Sequence, residues 1–63
     1  MDRSTAIDQL PEAYATALRL RDEGHDDTVI AARLGLAPEA VGPLLGIAAA
    51  KLRTLLATIG EDK

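Results

Sequence analysis

Residues Val41–Ile59 read VGPLLGIAAAKLRTLLATI, and the spacing of their apolar positions decides the fold. Val41, Leu45, Ala48, Leu52, Leu55 and Ile59 step by 4, 3, 4, 3 and 4, a seam nearly three heptads long. That is the period of an α-helix with one buried face. Gly60 is expected to end the helix, leaving Glu61-Asp62-Lys63 as a solvated tail. Gly42-Pro43 interrupts the pattern, because proline has no amide to donate and its ring crowds the carbonyl four residues back, that of Glu39. A break or bend is expected there: either a helix begun at Pro38 kinks, or the long helix starts near Pro43 after a separate turn over Pro38–Val41.

Working back toward the N-terminus, no segment alternates with period two, and Ala, Leu, Arg and Glu dominate, so the other elements are predicted to be helices as well. Ser4 or Thr5 is expected to cap a short first helix reaching about Gln9, and Pro11 suits the first turn of a second helix over Pro11–Glu23. On that helix Tyr14, Ala17, Leu18 and Arg21 share a face, and Gly24 can turn left-handed after it. Asp26 or Asp27 caps a third helix over Thr28–Leu34, with Val29, Ile30 and Leu34 on its apolar side and Gly35 as its stop. Two helices joined by the tight turn Leu36-Ala37-Pro38 make a helix-turn-helix. The expected class is all-α, a small four-helix helix-turn-helix domain spanning residues 1–63, with flexible tails at 1–3 and 60–63.

Composition narrows what such a domain does. The 63 residues carry ten Asp and Glu against seven Lys and Arg, so no overall positive field draws the chain to nucleic acid or anionic lipid. Hydrophobic residues make up 48%, mostly alanine and leucine, with one tyrosine and no Phe or Trp. Such a core is thin, and a chain this short without disulfides or metal leans on regular helix packing or on a partner. With no cysteine, thiolate chemistry is excluded. The N-terminus has no secretory pattern, and the most apolar run, Pro43–Ala50, is far below the roughly 20 residues that span a bilayer, so a soluble cytoplasmic protein is expected.

Leu10-Pro11-Glu12, Tyr14, Leu18-Arg19-Leu20-Arg21, Glu23-Gly24, Ile30-Ala31-Ala32-Arg33-Leu34-Gly35-Leu36, Val41, Leu45, Ala48 and Lys51-Leu52 form an ordered set. Together they resemble region 4 of bacterial sigma factors, especially the small extracytoplasmic-function type. They run in order without gaps over about residues 5 to 57. The resemblance implies a four-helix module with a helix-turn-helix on promoter DNA and an outer surface for RNA polymerase or an anti-sigma factor. Where that family places Lys, Ser and Arg along the exposed side of its recognition helix, this chain has Gly42, Pro43, Leu44, Gly46, Ile47, Ala49 and Ala50. None of them can bond a phosphate with a charge, and phosphate neutralisation supplies most non-specific DNA affinity.

Two consequences are expected. Leu44, Leu45, Ile47, Ala48, Leu52 and Leu55 form a protein interface, for a second copy, a sigma or anti-sigma partner, or RNA polymerase. Burial of Leu44 and Ile47 inside the monomer is the other reading of the same residues. What remains for DNA is Arg33, Lys51 and Arg53, which would serve a dimeric DNA-binding regulator. Asp22-Glu23-Gly24-His25-Asp26-Asp27 lacks the ligand spacing of a calcium loop and the second His of a zinc site, and cap chemistry accounts for it. Ser4 is the only serine and no phosphate loop is present, so no enzyme, metal, cofactor or small-molecule ligand is implied. The sequence therefore points to a stand-alone transcription-control module acting mainly through protein contact, with a homo-oligomer expected.

Overall fold

The computed structural model describes residues 2–61, with side chains up to Ala57. It is all helical: α1 Arg3–Asp8, α2 Glu12–Asp22, α3 Asp27–Leu34, a 3-10 turn Pro38–Ala40, and α4 Val41–Glu61. The expected fold class holds, a small helical domain with a long last helix.

The ends of the short helices follow local chemistry. Asp26 stands in extended backbone and accepts the amide of Val29 at 3.1 Å, satisfying one of the free donors of the first turn of α3. Asp2, not Ser4 or Thr5, caps α1, accepting the amide of Thr5 at 2.8 Å, so Asp2 and Arg3, expected to lie in a tail, form the helix cap and the start of the first turn. The Thr5 backbone and side chain hold the Asp2 carboxyl below its ordinary value of 3.8. The cap's contribution is thus present above that value and is lost as pH falls through the lowered one. Gly24 and Gly35 have φ of +93° and +72°, the left-handed conformation that closes a helix end and that a side chain would strain. At α2 the closure runs from the His25 amide to the Leu20 carbonyl, at α3 from Leu36 to Ala31. Asp26→Ala should lower stability by about 1 kcal/mol, read from the thermal melt; an unchanged melting temperature would show that α3 does not need its cap.

The break expected at Gly42-Pro43 does not occur there: α4 runs unbroken through both residues, and the separate turn lies before it. A separate turn closes over Pro38–Ala40, and α4 begins at Val41. Pro43 then lies in the first turn of α4, where amides have no intrahelical acceptor, so its missing donor costs nothing. Gly60 does not end the helix, which runs on to Glu61. The predicted seam position Ile59 and the tail residues Asp62 and Lys63 lie outside the described side chains, as does Met1.

The core has two lobes. Ala6, Ile7, Leu10, Ala15, Leu18, Ala48 and Leu52 form one, where α1, α2 and α4 meet. Ala17, Leu20, Ile30, Ala31 and Val41 form the other, between α2, α3 and the start of α4. Leu45 packs against both. The face predicted for α2 is corrected accordingly: Ala15 and Leu20 are buried along with Ala17 and Leu18, while Arg21 is exposed and ion-paired with Asp27. On α3 the buried pair is Ile30 and Ala31, whereas Val29 is 38% exposed. Further ion pairs, Arg3 with Asp22 and Arg19 with Asp8, are half-exposed and stabilise little.

Candidate functional site on the outward face of the last helix

Helix α4 is 21 residues long, about 31 Å at the α-helical rise, and runs along most of a molecule measuring 41 × 18 × 17 Å. The helices that pack on it cover one side only. Val41, Ala48 and Leu52 are buried, and Leu44, Leu45, Leu55 and Leu56 are half-buried against the two lobes. The opposite side, Gly42, Pro43, Gly46, Ile47, Ala50, Arg53, Thr54 and Ala57, is exposed.

This corrects the interface expected from the sequence. Of Leu44, Leu45, Ile47, Ala48, Leu52 and Leu55, only Ile47 is largely open, at 49% exposure. Ala48 and Leu52 belong to the core, and Leu44, Leu45 and Leu55 pack against it. The inward stripe is wide because α1, α2, α3 and the 3-10 turn all pack on α4. What remains outside is a second set of positions, small instead of bulky. It was visible in the sequence only as the helix's residual spacing, Gly42, Gly46, Ala50 and Ala57.

The three cations set aside for DNA do not form one patch of like environment. Lys51 is exposed with its ammonium 5.8 Å from the centre of the Tyr14 ring, a cation–π contact that holds it toward α2. Arg53 is exposed on the outward side of α4. Arg33, exposed on α3, lines a polar groove of about 490 Å³ together with Glu12, Ala13, Thr16 and Leu34. A second groove, about 440 Å³, lies between the α1–α2 corner and α4, where Leu10, Pro11 and Leu55 are joined by Lys51 and Thr54.

The acidic run at the α2–α3 turn is used locally. Asp22 pairs with Arg3, Asp27 with Arg21, Asp26 caps α3, and Glu23 lies 3.4 Å from His25 Nε2. Among the described residues no three His, Asp or Glu side chains gather where an ion would sit.

Comparison with protein families, with curated proteins and with solved structures finds no match to this chain. Its function has to be read from its own residues.

The segment Pro38–Ala57 is, by length and composition alone, long and apolar enough to cross a membrane, a longer apolar stretch than the run Pro43–Ala50. Only 17% of that window is buried in the monomer. From Val41 to Ala57, Val41, Ala48 and Leu52 are buried and the other residues of this apolar helix are half-buried or exposed.

Proposed function

We propose that the chain is a helix-turn-helix module of the sigma-region-4 kind, working in transcription control through protein contact made by the outward face of α4. The observation that carries this reading is the chemistry of that face. From Gly42 to Ala50 it offers no charged side chain, and Ile47 stands 49% exposed in its midst. A duplex-facing helix needs cations at those positions to meet phosphates and base edges. An apolar one excludes water best against another polypeptide.

The rival reading, a DNA-binding regulator acting as a dimer, draws on the exposure of Arg33, Lys51 and Arg53. The two differ in salt dependence. Three cations per copy neutralise at most about six phosphates in a dimer, so a DNA complex would lose roughly 2,000-fold in affinity between 50 and 200 mM salt. The protein-contact reading expects no retarded band with promoter-length duplex, even at 50 mM salt and tens of micromolar protein. A duplex complex whose affinity falls along that slope would overturn it.

A further inference from the structure

We infer that the occupant of the outward face of α4 is a second copy of this chain, packed antiparallel about a two-fold axis at Gly46. This deepens the protein-contact reading and rests on it. Charge placement identifies the partner and its direction. Between Pro38 and Ala57 the only charged residues are Glu39, Lys51 and Arg53. Lys51 is engaged by Tyr14, whereas Glu39 and Arg53 are both exposed and neither makes an ion pair among the described residues. They lie 14 residues apart, Glu39 on the 3-10 turn that leads into α4 and Arg53 on α4 itself, with Gly46 at their midpoint in the sequence. A parallel copy would set Glu39 against Glu39 and Arg53 against Arg53. An antiparallel copy centred on Gly46 sets each Glu39 opposite the other chain's Arg53, twice by symmetry, and the surface is then self-complementary as a two-fold interface requires.

The backbone between those charges suits close approach. In the same register Gly42 faces Ala50 of the other copy and Gly46 faces Gly46. Neither glycine has a positive φ, and a Cβ added to either would meet nothing within 4 Å, so the monomer gives no reason for the missing side chains. A helix-interior glycine costs about 1 kcal/mol relative to alanine. Small residues at this spacing let two helices come near enough for backbone contact, with Ile47 beside the axis as the bulky, exposed element that such a contact would cover.

Sedimentation equilibrium on the full chain tests this. We expect a monomer–dimer equilibrium with a dissociation constant of about tens of micromolar, as suits an interface below about 1,200 Å². Gly46→Leu should weaken it at least tenfold while leaving monomer helicity intact, since the added side chain enters open space in the monomer. Arg53→Glu and Glu39→Arg should each weaken it about tenfold, because symmetry inverts two pairs at once, and Glu39→Arg combined with Arg53→Glu should restore it. Wild-type protein that stays monomeric to about 300 µM overturns the inference, as does Gly46→Leu with unchanged association, or a double variant without recovery. A monomer that also binds no duplex leaves the protein-contact reading standing with another partner; a monomer that retards duplex with the salt slope above overturns both.

Discussion

Ile30→Ala should leave most of the protein unfolded at room temperature. Ile30 is fully buried at the centre of α3, where it joins Ala17 and Leu20 of α2 and Val41 of α4. With Val41 it is one of the two largest side chains that are wholly enclosed. Its neighbours are small or already packed, so they cannot move in to fill the space it vacates. Truncation of this kind costs about 2–5 kcal/mol, from lost burial and the cavity left behind. A single core of this size supplies about 3–5 kcal/mol in total. The two quantities are nearly equal, which is why one substitution should suffice. A thermal or urea melt followed by circular dichroism reads the outcome. A loss below about 1 kcal/mol would mean that α3 is not held by its central isoleucine.

The second large effect is a contrast between two positions on one helix. Ala48→Leu should destabilise by about 1–3 kcal/mol or more, because three added carbons enter a place already filled. Ala48 is 0% exposed and lies in the core cluster that also holds Ala6 of α1 and Ala15 of α2. Gly46→Leu, two residues away, places the same side chain on the open side, where a new Cβ meets nothing within 4 Å. There the better helix propensity of leucine should raise monomer stability by up to about 1 kcal/mol. Melts at a concentration low enough to exclude association compare the two variants directly. Equal destabilisation of both would mean that the inward and outward sides of α4 have been misassigned.

These contrasts mark what the residues alone disclosed. The glycine stops at Gly24 and Gly35 were legible, and the α3 cap to within the pair Asp26 and Asp27, because each acts within one helical turn through a backbone conformation or a single hydrogen bond. The Asp2 cap was less so, since Asp2, Ser4 and Thr5 all carry cap-forming oxygens and the choice depends on where the chain leaves extended backbone. Pro43 marked a boundary region without saying which side of it would be helical; only the position of the 3-10 turn showed that its missing amide falls in a first turn. For the candidate site, the lack of cations from Gly42 to Ala50 was plain in the sequence. Which apolar residues stay open was not, because Leu44 and Ile47 are both plausible outward neighbours of the seam and differ only in what packs beside them.

The sequence by itself determined that this chain is helical, where each helix starts and stops to within a few residues, and that its last helix is apolar along nearly its whole length. Those properties follow from interactions spanning four residues or fewer, which travel with the chain wherever it goes. Only the tertiary structure decided which side of α4 is spent on the core and which is left uncovered. That choice depends on α1, α2 and α3 converging on α4 from sites far away in sequence, and it converts a predicted leucine interface into an outward face of small residues with one exposed isoleucine.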